Sequence, residues 1–419
     1  MTQISDLLVR INPWWGGNFK LDFKPREASI KINELMRLPQ IIALTGLRRT
    51  GKTTLMLNIA YERIGEGLEP TNILYFSFDE LKTATVLDIV GEYEKMLNKN
   101  LREGRYLFLF DEIQKLEGWE DKVKLLYDTY KSSVKIVISG SESLFIRKRS
   151  KENLAGRAFD VHVAPLSFKE YLIFVGQDSE PYALQEGKLA GHLNEFIKTQ
   201  GFPELVYERS ESNIRSYVDG IISTVLYKDI PSIFHVDKPD VLESMLRIMM
   251  NEPGQIIDFI KLAKEMKVSR HTVSEYSAYM EEAFLLRKLY NYSTNARKVE
   301  RSLRKYYPTI IAPDLTFKED NHYKSMVFEW LIVNQSNAEF FWRDQYKHEV
   351  DIVLRDGPVP VEVKYGAADT GSIIAFLKKF KVDDGYIVSL NDDAVKRIEE
   401  RTIHAIPAAK LLSGLIELH

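Results

Sequence analysis

Short runs of apolar residues alternate with amphipathic stretches through residues 41–165. Each run is apolar at nearly every position, which is typical of strands that are buried on both faces of a parallel sheet. The stretches between the runs have the pattern of helices. This alternation predicts an α/β fold built on a parallel sheet. The predicted strands are residues 41–44, 73–78, 106–110 and 134–138.

Beyond residue 165 the pattern changes. Residues 166–235 are predicted to be helical, and residues 236–293 contain a helix, a short turn and a second helix for which Ser269 is the N-cap. A strand at residues 285–290 follows this pair, and the order of elements predicts a winged helix.

Residues 294–419 are predicted to form a second α/β region. A helix over residues 325–335 precedes two strands, residues 348–354 and 359–365, which a turn at residues 355–358 joins into a hairpin. A further helix is expected over residues 371–380.

The first predicted strand leads into a loop that matches the phosphate-loop (P-loop) pattern GxxxxGK[ST] at every fixed position. Glycines let the backbone fold round a phosphate chain, and backbone amides at a helix N-terminus supply positive potential. We expect Lys52 to contact the β- and γ-phosphates and the Thr53 hydroxyl to bind Mg²⁺. The predicted nucleoside triphosphate site comprises Gly46, Leu47, Arg48, Arg49, Thr50, Gly51, Lys52, Thr53 and Thr54.

The strand at residues 106–110 ends in Asp111 and Glu112, which is the Walker B arrangement. Asp111 would hold the Mg²⁺ shell, and Glu112 would orient or deprotonate the attacking water. The second acid favours a hydrolase over a kinase or a protein that only binds nucleotide. The guanine motif Asn-Lys-x-Asp is absent, since residues 98–101 fail at its last position, so ATP is expected rather than GTP.

Two further roles in ATP hydrolysis have candidates. Ser139 or Ser141, at the end of the fourth predicted strand, would sense the γ-phosphate, although a serine-rich turn explains them equally well. Arg157 is the preferred arginine finger, acting in cis or on a neighbouring subunit, because Gly156 frees the backbone before it. For Arg147 and Arg149, a solvated basic loop explains the pattern as well.

The predicted C-terminal hairpin carries an acid on one strand and acid-x-lysine on the next, the pattern of PD-(D/E)xK nucleases. Asp351 and Glu362 would hold Mg²⁺ or Mn²⁺, Glu329 would complete the shell, and Lys364 would position or activate water. Strand alternation places Glu362 and Lys364 on the same face. A surface salt-bridge ladder is the alternative interpretation. The proline that opens the motif is replaced by Val350.

Composition narrows the classes of function. The 419 residues include no cysteine, which excludes disulfides and thiolate metal sites. No apolar run approaches a membrane span and the N-terminus lacks a secretory pattern, so a cytoplasmic protein with no membrane partner is expected. The net charge of −3 gives no general attraction to nucleic acid, and any DNA affinity must come from a local patch.

Residues 287–305 form such a basic stretch. They contain seven basic residues and one acid, Glu300, which favours phosphate contact, with an exposed charged linker as the alternative. Together with the winged helix this stretch predicts DNA as a partner, although winged helices also serve as spacers between proteins. The basic residues are Arg287, Lys288, Arg297, Lys298, Arg301, Arg304 and Lys305.

The combined order of the motifs at residues 45–54, 110–114, 139–141 and 156–168 resembles a family of AAA-type ATPases abundant in archaea and bacteria. Their C-terminal domain has no assigned function. The resemblance implies an oligomeric ATPase core with a helical lid, a winged helix and a nuclease-like domain. The corresponding expected domains are residues 1–165 for the P-loop core, 166–235 for the lid, 236–293 for the winged helix and 294–419 for the PD-(D/E)xK-like α/β domain.

The sequence thus predicts a Mg²⁺-dependent ATPase, a homo-oligomer that acts on DNA or is regulated by it, with metal-dependent DNA cleavage as a further activity. Two alternatives stay open. One is a nucleotide-switched regulatory ATPase whose C-terminal domain does not cleave, and the other is a helicase-like DNA remodeller.

Overall fold

The computed structural model describes residues 3–17, 19–80, 84–141, 154–177, 186–354, 357–366 and 370–418. The chain divides into two compact units, Met1–Pro165 and Leu166–His419. Among the described residues, no helix is both long enough and apolar enough to cross a bilayer.

Unit 1 is built on a five-stranded sheet in which all neighbouring strands are parallel, in the order β2-β3-β4-β1-β5. The predicted α/β fold class with a parallel-sheet core is therefore confirmed. The strands are β1 Ile41–Thr45, β2 Ile73–Ser77, β3 Tyr106–Asp111, β4 Val134–Gly140 and β5 Ala158–His162.

Helices cover both faces of this sheet. Successive strand residues point to opposite faces, so Ala43 and Phe108 belong to one apolar cluster while Ile42 and Leu109 belong to another. This two-sided burial explains the continuous apolar runs in the sequence. The helices are α1 Gln3–Ile11, α2 Glu27–Leu35, α3 Lys52–Gly65, α4 Val86–Leu97 and α5 Trp119–Tyr130.

Unit 2 contains a nine-stranded mixed sheet in the order β13-β14-β12-β11-β10-β9-β7-β8-β6. Within it, β10 is antiparallel to both β11 and β9, whereas β11 and β12 are parallel. The strands are β6 Gln255–Ile256, β7 Leu286–Asn291, β8 Arg304–Pro308, β9 Phe340–Arg343, β10 Glu349–Leu354, β11 Val359–Lys364, β12 Asp384–Ser389, β13 Ala394–Ile398 and β14 Arg401–Pro407.

The helices of unit 2 precede the sheet in sequence, connect its strands or, for the last one, follow the final strand. They are α6 Phe168–Phe174, α7 Glu186–Thr199, α8 Glu211–Thr224, α9 Ile230–Ile233, α10 Pro239–Asn251, α11 Phe259–Glu265, α12 Arg270–Glu282, α13 Ala296–Arg301, α14 Asn321–Gln335, α15 Gly371–Phe380 and α16 Ala408–Leu412.

The internal organisation of unit 2 differs from the expected three separate domains. The expected boundary at residues 293 and 294 falls between β7 and β8, which pair antiparallel, and β7 also pairs with β9. The helices expected to form a lid contribute Phe168 and Phe196 to a core that also contains Phe328, Val361 and Val388. Prediction from the sequence places these segments in separate domains because local patterns carry no information on side-chain contacts between residues far apart in the chain.

Candidate functional site

The phosphate loop connects the C-terminal end of β1 to the first turn of α3. Gly46 has a φ of 149°, and a Cβ placed there would lie 2.3 Å from the carbonyl oxygen of Val163. Gly51 has a φ of 96° and is the N-cap of α3. Both positions therefore require glycine, and the loop brings the amide groups of a helix N-terminus to the edge of the sheet.

Lys52 lies inside the loop rather than extending into solvent. Its side chain is buried, and its ammonium group donates hydrogen bonds to the carbonyls of Gly46 at 2.8 Å and Leu47 at 2.9 Å. The Thr50 hydroxyl donates to the Leu47 carbonyl at 3.0 Å. Thr53 and Thr54 are exposed at the start of the helix. The loop thus presents one fixed positive charge and an accessible hydroxyl.

Asp111 is the centre of a hydroxyl cluster at the end of β3. The Thr53 hydroxyl donates to its Oδ2 at 2.7 Å, and the Tyr75 hydroxyl donates to the same oxygen at 3.0 Å. The Ser139 hydroxyl donates to Oδ1. The structure therefore brings the predicted magnesium ligands Thr53 and Asp111 together, although 58 residues separate them in sequence.

Tyr75 was not among the predicted site residues. It lies on β2, next to β3, and burial followed by the nearby Asp111 carboxylate raises the pKa of its hydroxyl. A tyrosine two residues before the end of a strand adjacent to β3 was the available signal, but its relevance requires knowledge of the strand order.

Glu112 follows Asp111 in the left-handed conformation, with a φ of 52°. Its backbone N–H donates to Ser139 Oγ at 3.1 Å, and its carboxylate accepts from Gln114 Nε2 at 2.7 Å. Gln114 Nε2 also donates to Ser141 Oγ at 3.1 Å. Because β4 lies between β1 and β3, both serines are positioned near the Walker B acids. Their role as γ-phosphate sensors stays a prediction.

Arg26 is a second residue that the sequence did not single out. It is buried, and its guanidinium donates to the carbonyls of Thr50 at 2.7 Å and Ala164 at 2.8 Å. The arginine therefore ties the phosphate loop to the segment that follows β5. No pattern in the sequence marks it, because both acceptors are backbone groups far away along the chain.

Arg157 lies beside the N-terminal end of β1, whereas the phosphate loop follows the C-terminal end of that strand. Its carbonyl accepts from Ile41 N at the start of β1, and its side chain pairs with Asp128 at 2.8 Å. Five residues of β1 separate that end from Gly46, which is about 16 Å at roughly 3.3 Å per residue. This separation does not support a role in cis, and the assignment of Arg157 as an arginine finger stays a prediction. Residues 147–149, which contain the alternative arginines, lie outside the described residues.

The arrangement fits a nucleoside triphosphate with Mg²⁺. A loop too tight for any Cβ at Gly46, a buried lysine and a hydroxyl–carboxylate pair are the groups that phosphates and a hard cation require. Thr53 and Asp111 are the residues that would hold the metal.

A second cluster of charged groups surrounds Lys305 in unit 2. The Lys305 ammonium lies 3.2 Å from Glu329, 2.5 Å from Glu349 and 3.4 Å from Asp351. The Tyr307 hydroxyl donates to Glu329 at 2.6 Å. Two of the predicted C-terminal site residues, Glu329 and Asp351, are thus brought together, and Lys305 and Glu349 join them unexpectedly.

Glu362 and Lys364 lie beside this cluster on β11. Their side chains form an ion pair at 2.7 Å, and the intervening Val363 N–H donates to Asp351 Oδ2 at 2.9 Å. Both Asp351 and Glu362 are buried, unlike the members of a surface salt-bridge ladder. Burial raises the pKa of Asp351 to about 8 and also raises that of Glu362.

The prediction that Glu329, Asp351 and Glu362 hold a divalent cation does not fit this geometry. No group of three or more acidic or histidine side chains in the described part of the chain is arranged to hold a metal ion. The Lys305 ammonium lies among Glu329, Glu349 and Asp351, and Glu362 is paired with Lys364. The residues present therefore favour internal ion pairing over metal coordination.

The basic stretch at residues 287–305 is only partly a surface patch. Arg287 is half-buried and donates to the carbonyl of Ala338 at 3.0 Å, while Lys288 pairs with Glu281 at 2.6 Å. Lys305 is buried among the carboxylates of Glu329, Glu349 and Asp351. The exposed basic residues are Arg297, Lys298 and Arg301, all on α13.

Three segments match known domain families. Residues 38–172 match an AAA domain, residues 191–309 match a domain of unknown function (DUF8612), and residues 320–411 match another (DUF4143). The second match contains α11, α12 and both strands of the β7–β8 hairpin.

The chain is also similar to several proteins over most of its length. It is 25% identical over 386 residues to an uncharacterized protein of Methanocaldococcus jannaschii, covering 83% of this chain and 80% of the relative. A second protein of that archaeon is 26% identical over 407 residues, with 89% and 88% covered. A protein of Haemophilus influenzae is 27% identical over 275 residues, with 64% and 66% covered.

Solved structures show weaker similarity. RuvB of Thermotoga maritima is 17% identical, with 62% of this chain and 87% of that chain covered and a TM-score of 0.32. DnaA from Aquifex aeolicus bound to AMPPCP is 18% identical, with 64% and 90% covered and a TM-score of 0.29. The match at residues 38–172, the parallel sheet and the geometry around Lys52 and Asp111 identify unit 1 as an AAA-type P-loop ATPase fold.

Proposed function

We propose that the protein hydrolyses ATP in a Mg²⁺-dependent reaction at the phosphate loop. The observation that carries the proposal is the convergence of Thr53 and Asp111 at 2.7 Å, with Glu112 directly after Asp111. A loop that only bound phosphate would need Lys52 and the glycines, but not a carboxylate pair beside the helix N-terminus.

Each residue has a distinct task in this reaction. Lys52 and the loop amides bind the phosphates, and Thr53 and Asp111 hold the metal, which when bound neutralises charge on the β- and γ-phosphates. Glu112 orients the attacking water and accepts its proton. Ser139 and Tyr75 hold the Asp111 carboxylate through hydrogen bonds, and Arg26 holds the phosphate loop in place by donating to the Thr50 carbonyl.

Steady-state phosphate release from ATP tests this proposal. We expect Lys52→Ala to lower kcat/KM at least 100-fold, because it removes the positive charge that contacts the phosphates. Lys31→Ala, which changes an exposed lysine of α2, is the matched control and should leave turnover unchanged. Equal turnover in wild type and Lys52→Ala would reject the proposal.

We further propose that residues 259–308 form a winged helix that contacts DNA. The supporting features are the consecutive helices α11 and α12, the β7–β8 hairpin, and the exposed Arg297, Lys298 and Arg301 between the strands of that hairpin. Arg270 and His271 are exposed at the start of α12, where a recognition helix contacts base edges.

The salt dependence of DNA binding tests this second proposal. Each lost phosphate contact lowers the slope of log K against log salt by about 0.9, so changing all three α13 residues to alanine should lower it by up to about 3. Arg247→Ala, at an exposed arginine of α10, is the control. Salt-insensitive binding, or no binding, would favour a protein partner for this region.

DNA is expected to stimulate ATP hydrolysis if the two units work together as a DNA-regulated ATPase. Comparing ATP turnover with and without single-stranded, duplex and branched DNA tests that coupling. Strand displacement in the same samples would indicate a helicase-like remodeller.

The predicted DNA cleavage has the least support from the geometry. The residues predicted to carry it are Glu329, Asp351, Glu362 and Lys364. The ion pairs of Lys305 favour the alternative in which the C-terminal domain does not cleave and unit 1 acts as a nucleotide-dependent switch. Incubation of the full chain with DNA and Mg²⁺ or Mn²⁺ tests this choice. We expect no nicking, whereas nicking abolished by Glu362→Ala would restore the nuclease assignment.

We also propose that the protein is a homo-oligomer in which Arg157 completes a neighbouring ATP site. Its position at the N-terminal end of β1, away from the phosphate loop, supports a role in trans rather than in cis. Turnover per chain should then rise with protein concentration for wild type. For Arg157→Ala it should stay low and constant while ATP binding is retained. A concentration-independent rate in both proteins would contradict this proposal.

A further inference from the structure

Lys305 is buried and contacts both charged and aromatic side chains. It extends from β8 and is only 4% exposed, and its ammonium lies 5.9 Å from the Tyr307 ring centre and 5.8 Å from that of Phe341. Three carboxylates surround the ammonium, contributed by α14 and β10. A buried lysine with this many partners is part of the fold and not a mobile surface charge.

We propose that the Lys305 ammonium takes the place of a divalent cation in the C-terminal acid cluster. The carboxylates of Glu329, Glu349 and Asp351 converge on the lysine Nζ, as ligands converge on a metal ion. The domain therefore keeps its buried acids in the folded state without bound metal. This inference concerns unit 2 alone and stands whether or not the phosphate loop hydrolyses ATP.

The charge balance supports the proposal. Two cationic side chains face the three carboxylates, because the Lys305 ammonium lies among them and the Arg343 guanidinium lies 3.2 Å from Glu349. Lys305 and Arg343 together carry two positive charges, the same number as Mg²⁺ or Mn²⁺.

The cluster around Lys305 is open to solvent. A cavity of about 730 Å³ is lined by Lys305, Glu329, Glu349 and Arg343, and the side chains of both glutamates are 27% exposed. Ions from solvent can therefore reach the carboxylates. The position they would take is filled by the ammonium itself, so removal of that ammonium should create a metal site.

Titration of the nucleotide-free full chain with MnCl₂, followed by the electron paramagnetic resonance signal of free Mn²⁺, tests the proposal. Wild type and Asp351→Asn should bind Mn²⁺ equally. Lys305→Met should gain about one Mn²⁺ per chain, bound at least tenfold more tightly than by wild type. The double variant with Asp351→Asn should lose it. Lys318→Met is the matched control, because Lys318 lines the same cavity but lies over the Tyr323 ring.

Thermal unfolding of the same proteins gives a second readout. Lys305→Met should melt at a lower temperature, because its carboxylates lack their internal cation, and 1 mM MnCl₂ should raise that temperature by about 5 °C while leaving wild type unchanged.

Two outcomes would overturn the proposal. The first is Mn²⁺ bound by wild type and lost in Asp351→Asn, a comparison that needs no Lys305 variant and holds even if Lys305→Met fails to fold. The second is a folded Lys305→Met that gains no Mn²⁺.

Discussion

Asp111 illustrates that the proposed ATP site depends on individual hydroxyl groups. Tyr75 donates to the carboxylate oxygen that also accepts from Thr53, so Tyr75→Phe should leave that oxygen less firmly oriented. We expect the Mg²⁺ concentration for half-maximal ATPase activity to rise three- to tenfold, equivalent to about 1 kcal/mol for a lost hydrogen bond. Tyr61→Phe, at an exposed ring, is the control. Identical Mg²⁺ curves for Tyr75→Phe and wild type would show that Tyr75 does not position Asp111.

Gly46 sets a steric limit on the phosphate loop. A methyl group there meets the Val163 carbonyl at 2.3 Å, so Gly46→Ala should destabilise unit 1 by at least about 3 kcal/mol and abolish ATP binding. Gly65→Ala, in α3 with no atom within 4 Å of the new Cβ, should be neutral or slightly stabilising. Urea unfolding of both variants makes the comparison, and equal midpoints would contradict the steric argument.

The Asp351 carboxyl makes stability depend on pH. Its pKa is about 8 in the folded protein, mainly through burial, and about 3.9 in an unfolded chain. Between these values the folded state holds a proton that the unfolded state has lost, so the free energy of unfolding falls as the pH rises from about 4 to 8.

Urea midpoints of wild type and Asp351→Asn at pH 5 and pH 8.5 measure this effect. We expect the wild-type midpoint to fall with a decrease of a few kcal/mol in stability, and the variant to fall less. A variant that loses as much stability as wild type would show that Asp351 is not the group responsible.

At the scale of secondary-structure elements, the basic residues of the β7–β8 hairpin fall into two groups. Some make internal hydrogen bonds, and others are exposed at the surface. Arg287 donates to carbonyls near the C-terminal end of α14, so Arg287→Ala should cost about 2–4 kcal/mol without changing the salt slope of DNA binding. Arg297→Ala should lower that slope and cost less than about 0.5 kcal/mol. Denaturant unfolding and binding isotherms of both variants distinguish the two roles, and the opposite assignment would contradict the structure.

At the scale of single elements, the sequence pattern predicted those features that depend on neighbouring residues alone, such as strand positions and the face of a strand on which a side chain lies. The apolar runs marked β1 to β4 because both faces of that sheet are buried, and alternation placed Glu362 and Lys364 on one face of β11. The sequence did not reveal that Lys305 points into the acid cluster, since a lysine among basic neighbours has the same local pattern whether it is buried or exposed.

At the scale of the whole molecule, long-range contacts determine the organisation within unit 2. Leu193 and Phe196 of the predicted lid pack in one core with Leu331 and Val388, which follow more than 130 residues later. Apolar periodicity shows that a helix face is buried but not which partner covers it. Local sequence patterns therefore do not determine domain boundaries within residues 166–419.

Single-turnover hydrolysis of radiolabelled ATP by Glu112→Gln is the most direct test of the central claim, that the phosphate loop and the Walker B acids form one hydrolytic site. The variant keeps Lys52, Thr53 and Asp111 but lacks the carboxylate that accepts the proton from water. We predict ATP affinity within threefold of wild type and hydrolysis slowed at least 100-fold. Hydrolysis at the wild-type rate would contradict the claim.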